Sequence, residues 1–289
     1  MISSRISVVL ALLSGVLTQP AAAQMIQVPK GIPLGYYTDA RPISFDNESG
    51  KPTGYAVDLC QQVAELAKAQ LGPADAQVEW VAVTRQTGIA GLREGKIKLL
   101  CGVAVTRSAS DLLFSVPIFE GGVGAMLRAD APTELQKTLA ATTRDSDAAM
   151  LRAQTYAVIA GAPTEKALSN WFASRSLTGQ IVRVEDEAKG VQAVLDRKVN
   201  VLFAERSVLL DAWRRNASYG DLTVLARRFT MAPVALGLKS GDDAARAAVD
   251  QALAKIYGSK EFGATYAKWF GKPDAQAKAF FQRSMKAQY

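Results

Sequence analysis

GYAVDLCQQVAELAK (residues 54–68), VEWVAVTRQTGIAGLREGKIKLLCGVAVTR (78–107) and LLFSVPIF (112–119) form the stretch that decides the fold. From Tyr55 to Leu71 the apolar residues Val57, Cys60, Val63, Ala64, Ala67 and Leu71 recur at helical spacing, and Gly72-Pro73 is a helix stop. Val78 to Val83 alternates as a strand. A short helix from Gln86 to Glu94 ends at Gly95, and Ile97 to Val105 is the next strand. Strand, helix and strand alternating at this spacing predict βαβ units and a largely parallel sheet.

The same grammar extends outward. Ile32 to Tyr37 reads as a strand before a turn-rich loop, Asp46 to Gly50. In the second half, Tyr156 to Ala160 is a short strand and Pro163 to Ser174 a helix. Strand Ile181 to Val184, helix Ala188 to Asp196 and strand Val199 to Ala204 follow. Val234 to Leu238 reads as a returning strand, with closing helices over Ala244 to Tyr257 and Lys260 to Phe270. The polar, helix-prone segment between Leu127 and Tyr156 reads as a surface elaboration. The tail from Asp274 to Tyr289 reads as a peripheral helix.

The N-terminus, MISSRISVVLALLSGVLTQPAAAQ, has Arg5, an apolar run from Ile6 to Leu17, and the small residues Ala21 to Ala23. That three-part pattern predicts a signal peptide over residues 1–23 and export of a chain starting near Gln24. The alternative is a buried N-terminal helix. The run is shorter than the roughly 20 residues a membrane span needs. No cysteine follows it, so no lipid anchor is expected. The remaining chain, roughly 265 residues, is enough for two domains. A net charge of +7 is spread thinly, and Arg227-Arg228 lacks interleaved aromatics, so nucleic acid is not an expected partner. There is no histidine, which removes histidine-based triads and nearly all zinc or copper sites. No cofactor is expected. In an oxidising compartment the two cysteines, Cys60 and Cys101, are either bridged or two buried free thiols.

Taken in order, the chain resembles the periplasmic solute-binding proteins of ABC importers, in the polar amino-acid branch that includes glutamate/aspartate receptors. The resemblance rests on GYAVDL before a helix, Leu92-x-x-Gly95-Lys96-Ile97, Cys101-Gly102 at a strand end, and Phe114-Ser115-x-Pro117-Ile118-Phe119. In the second half it rests on Ala160-Gly161-Ala162-Pro163-Thr164-Glu165 and on DRKVNVLFAER, Asp196 to Arg206. It implies an α/β fold of type II: two lobes, each a parallel or mixed sheet flanked by helices, joined by a hinge near Glu120 to Gly122 and Thr230 to Pro233. The first lobe would span 24–120 and return over 233–273, the second 121–232, with 274–289 as a tail. The solute would sit between the lobes at strand ends and helix N-termini.

The resemblance also implies a site. Relatives hold the solute carboxylate with an arginine before Phe-Ser, helped by hydroxyls and backbone amides. Here that position falls on Ser108 or Ala109, so Arg107 is the candidate, reached by a register shift, or else a solvated arginine. Gly102 and Ala104 stand on the same loop, with Ala104 where a hydroxyl is usual. Gly88 takes the place of a second family arginine, leaving Arg85 as its substitute or as a surface residue. In the second half, Gly161 and Thr164 flank Pro163, which removes an amide donor. Glu205 matches the family acid that receives the solute's ammonium; its alternative is a helix-start glutamate in solvent. Asp39 and Arg41 are rim candidates, and Tyr37 and Phe119 the aromatic walls.

The function implied is periplasmic delivery of a small solute, amino-acid-like or cationic, to the membrane subunits of an ABC transporter, by a monomer that is not an enzyme. Two other readings stand beside it. One is an accessory or sensor protein of a periplasmic dehydrogenase system, suggested by the depleted polar site. The other is a cyclohexadienyl-dehydratase-like enzyme with Glu205 as general acid.

Overall fold

The computed structural model describes residues 31–73, 75–105, 112–141 and 148–286. The signal-peptide reading and Arg107 lie outside the described residues.

Two sheets form the frame. The first has the order Val78–Val83, Ile32–Tyr37, Leu99–Ala104, Ala232–Lys239, Leu112–Phe114, with Phe119–Gly121 also paired to Ala232–Lys239. Its first three strands are parallel, and the strand returning from the far half is antiparallel to its neighbours. The second sheet has the order Gln180–Val184, Thr155–Ile159, Val201–Glu205, Val123–Arg128, Leu222–Val224. It repeats the layout: three parallel strands, then antiparallel ones. A buried parallel strand wants apolar residues on both faces, as Ile32–Tyr37 shows by being buried at all six positions.

Each sheet has its own core. In the first lobe Leu34, Leu59, Val63, Leu99 and Leu253 are fully or almost fully buried together. Tyr156, Val158, Val201 and Phe203 do the same in the second. The Phe114 to Phe119 motif is held by polar contacts on both flanks. Ser115 Oγ accepts from the Leu236 N–H at 3.0 Å, and Asp250 accepts from the Val116 N–H at 2.7 Å. The Tyr55 hydroxyl donates to the Ile118 carbonyl at 2.9 Å.

Cys60 and Cys101 are joined in a disulfide, with their Cα atoms 6.1 Å apart. It ties the Tyr55–Leu66 helix to the Leu99–Ala104 strand. Of the two alternatives left open by the sequence, the bridge is the one formed.

Three expectations need correcting. The helix expected over Tyr55 to Leu71 breaks at Ala67 (φ −107°, ψ 18°), giving Tyr55–Leu66 and Lys68–Leu71. The segment after Leu127 is not a surface elaboration alone: Leu135, Leu139 and Leu151 on its short helices enter the second core. The tail helix, Ala275–Lys286, is not peripheral. It buries Phe280 and Phe281, and Phe281 packs on Tyr257, Phe262 and Tyr266 at ring distances of 5.0, 4.6 and 5.6 Å.

Candidate functional site

The parallel strands of each sheet end on the same edge, and the two edges face one another across a cleft of about 650 Å³. Tyr37, Asp39, Arg85, Gly102 and Ala104 line it from the first lobe, and Thr164 and Glu205 from the second. Seven of the ten ligand-binding candidates read from the sequence are thus brought together. The remaining lining is mostly small and apolar: Ile43, Val83, Ile159, Ala162, Pro163, Ala204 and Val234.

On the first lobe, Tyr37 closes its strand and is held there by Ser44. The Tyr37 N–H donates to Ser44 Oγ at 2.8 Å, and that hydroxyl donates back to the Tyr37 carbonyl at 3.1 Å. Burial raises the Tyr37 pKa, against a smaller lowering by the nearby Arg85 guanidinium, so the phenol stays a hydrogen-bond donor at neutral pH. Arg85 is exposed at the first position of the Arg85–Arg93 helix. Thr84 and Thr87 cap that helix reciprocally, at 3.2 and 2.9 Å. A cation at a helix N-terminus faces the positive end of the dipole, so an anion beside Arg85 is favoured twice over. Gly102, at φ 94°, lets the strand pass Ile43, whose Cγ2 would lie 2.6 Å from any added Cβ.

On the second lobe, Glu205 ends its strand against the hinge. Its Oε1 accepts from the Gly122 N–H at 2.7 Å. Burial raises its pKa, while bonds from the Gly122 and Arg206 backbone amides lower it by less. A partly buried carboxylate with raised pKa is stabilised by any cation that reaches it. Thr164 is at the second position of the Pro163–Ala173 helix, and its Oγ1 is buried with no hydrogen-bond partner.

Two candidates fall elsewhere. Phe119 is 2 % exposed and packs on Phe270 at 4.5 Å and Tyr55 at 6.3 Å, so it is core and not an aromatic wall. Gly161 does not line the cleft: its N–H donates to Glu165 Oε2 at 3.3 Å. Arg41 lines the cleft but is engaged across it. Its Nε meets Asp211 Oδ2 at 2.9 Å, and its guanidinium stacks on Phe45 at 4.4 Å.

Sequence reasoning missed Asp211, Ser44 and Arg206. A carboxylate in the middle of an Arg206–Arg215 helix carries no local sign that its partner is 170 residues away. Ser44 gives no signal either, since its role depends on how the loop folds back. Among the described residues no group of three or more carboxylates or cysteines is placed to hold a metal. No helix among them is long and apolar enough to cross a membrane.

The comparisons agree with this architecture. Residues 32–272 match the family model described as bacterial extracellular solute-binding proteins, family 3. The L-glutamate/L-aspartate-binding protein of Pseudomonas aeruginosa is 26 % identical over 245 residues, covering 84 % of this chain and 77 % of that one. An amino-acid-binding protein of Dichelobacter nodosus is 23 % identical over 236 residues, covering 81 % and 85 %. Among solved structures, a polar amino-acid ABC uptake substrate-binding protein from Streptococcus thermophilus superposes with a TM-score of 0.70 at 18 % identity, covering 87 % of this chain and 90 % of that one. With the two sheets, the cleft between them and a family match over nearly all of the described chain in place, the protein belongs to the bacterial extracellular solute-binding proteins, family 3.

Proposed function

We propose that this chain is a periplasmic receptor that binds an amino-acid-like solute between its lobes and delivers it to the membrane subunits of an ABC importer. The single observation that carries the reading is the division of charge across the cleft. Arg85, a cation with no carboxylate partner among the described residues, faces it from the first lobe, and Glu205 faces it from the second. A zwitterion satisfies both at once and buries most of its surface when the lobes meet.

In this reading Glu205 takes the ammonium and Arg85 a carboxylate, in the fork geometry that suits guanidinium. Thr164 Oγ1, orphaned and buried at the rim, supplies a further donor. Tyr37 gives one wall and a phenolic donor, Asp39 a second acid at the mouth, and Gly102 and Ala104 a floor without side-chain donors. The mostly apolar remainder fits an aliphatic solute body. An acidic dicarboxylate fits less well, because Arg41 is held by Asp211, a carboxylate it shares with Arg215 at 2.8 Å, and Arg85 is the lining cation that no described carboxylate engages.

A binding role is favoured over dehydratase chemistry for the same reason: anchoring a substrate with two carboxylates takes more free cations than the described cleft offers. Delivery is favoured over an accessory role in a dehydrogenase system because the relatives this chain resembles are amino-acid-binding and uptake proteins.

A thermal-shift screen of the chain from Gln24 tests this, using amino acids, the corresponding amines, betaines, polyamines and organic acids. A solute at 100 times its Kd stabilises by about 2.7 kcal/mol. Stabilisation by an amino acid, but not by its N-acetyl derivative, is the expected result. A protein stabilised only by organic acids would refute the role given to Glu205.

A further inference from the structure

The family match ends at residue 272, and the chain continues into the Ala275–Lys286 helix. That helix is stitched to both lobes. Its aromatic face sits in the first core, as above. Its polar residues reach the hinge and the second lobe. Gln276 Oε1 accepts from Arg228 Nη1, and Arg283 Nη2 lies 3.7 Å from Glu120 Oε1. Arg228 in turn holds Glu120 across the two crossover segments, Nη2 to Oε2 at 3.0 Å.

The central contact is between Asp274 and Arg206. Arg206 is on the second lobe, one residue after Glu205, yet its side chain is 4 % exposed and its Nη2 meets Asp274 Oδ2 at 2.9 Å. Its Nε and Nη1 are buried without a partner, so among the described residues Asp274 is the one carboxylate that compensates this charge. The other groups facing Arg206 are Tyr266 and Arg228, the latter a like charge.

Arg206, Leu210 and Trp213 are spaced by four and three residues and share one face of their helix. Leu210 enters the first core and Trp213 packs against Gly271 of the first lobe, while Arg206 meets Asp274 at the start of the C-terminal segment. This face is the seam along which the second lobe must rotate. At the pivot the backbone is tight: Gly122 has φ 128°, and a Cβ there would collide with the Thr230 carbonyl.

We propose that the C-terminal segment from Asp274 to Lys286 is a clamp on the hinge, holding the second lobe through Arg206 and so setting how far the cleft opens. A buried ion pair that loses one partner leaves an uncompensated charge, whereas replacing both partners by apolar groups costs little. Without Asp274 the guanidinium regains solvation only if the lobes swing apart and admit water. Asp274 is therefore a positioning residue: it acts on Glu205 and the cleft through Arg206 and the seam. The inference does not depend on which solute binds.

Single-molecule energy transfer tests it, in the solute-free chain from Gln24, with dyes at Lys51→Cys on the first lobe and Lys189→Cys on the second, both exposed. Asp274→Asn keeps the side-chain oxygen that caps the helix at the Ala277 N–H and removes the charge. The expected result is a shift of the population toward wider separation by tenfold or more, with unchanged far-UV circular dichroism. Adding Arg206→Met to Asp274→Asn is expected to restore the compact distribution, because the stranded charge is gone. A distribution for Asp274→Asn that superimposes on the wild type overturns the proposal, and so does a double variant that stays open.

Discussion

The two lobes share a layout but are braced differently. In the first, the strand that delivers Gly102 and Ala104 to the cleft is cross-linked to a core helix through Cys60 and Cys101. The second lobe contains no cysteine. Its Glu205 is fixed by a backbone amide of the hinge and stands beside Arg206, which reaches Asp274 of the C-terminal segment. The charges differ as well: the first rim offers Arg85, which pairs with no carboxylate among the described residues, the second the carboxylate of Glu205. A stapled jaw with a cation thus opposes a carboxylate jaw whose position depends on the hinge. A ligand carrying both charges can couple them, and one carrying a single charge engages one jaw only.

The largest difference between the jaws is expected in stability. The cross-linked residues are 41 positions apart, for which the chain-entropy account of disulfides gives about 4 kcal/mol. Cys60→Ala with Cys101→Ala is expected to lower the unfolding free energy of the first lobe by that order, seen as a lower urea midpoint in Trp80 and Trp269 fluorescence. The second lobe's own transition, read through Trp171, should move far less. Equal movement of both would mean that the lobes unfold as one unit, and the comparison would lose its structural half.

Binding effects come next. Glu205→Gln is expected to weaken an amino-acid ligand tenfold or more by calorimetry, on the order of 1.5–3 kcal/mol for a hydrogen bond to a charged group. Arg85→Ala should cost the same ligand about tenfold while leaving a carboxylate-free amine unaffected. If Arg85→Ala weakens both equally, the cation is not a carboxylate partner and the first jaw is misread.

A smaller effect is expected from pH. Burial raises the Glu205 pKa in the folded chain, so the folded state holds that proton more tightly than the unfolded one. The solute-free protein should gain stability as pH falls through the raised value toward the ordinary 4.5, and lose that increment as pH rises again. Ammonium ligands should lose affinity over the same window, since they need the carboxylate. Glu205→Gln should flatten both trends, measured as midpoint and Kd against pH.

Much of the frame was legible because it follows from local pattern. Ile32–Tyr37 and Val78–Val83 form strands with the ends read from the sequence, and Pro163 opens its helix as expected. The cleft residues at strand ends were legible for the same reason, since parallel strands must deliver their last residues to one edge. Phe119 was not, because an aromatic residue beside a hinge looks the same whether it faces a solute or Phe270. Nor was the Arg41–Asp211 pair or the Arg206–Asp274 pair, both of which form only when the two lobes meet. Long-range ion pairs leave no periodicity, so the parts of the site that depend on lobe placement were the ones the sequence concealed.

The most direct test of the divided cleft is calorimetry on the chain from Gln24 with three forms of one amino acid found by the screen: the free zwitterion, its decarboxylated amine and its N-acetyl derivative. The account predicts that the zwitterion binds best, that the amine retains part of the affinity through Glu205, and that the N-acetyl form fails to bind. An N-acetyl form that binds as tightly as the free amino acid would contradict it.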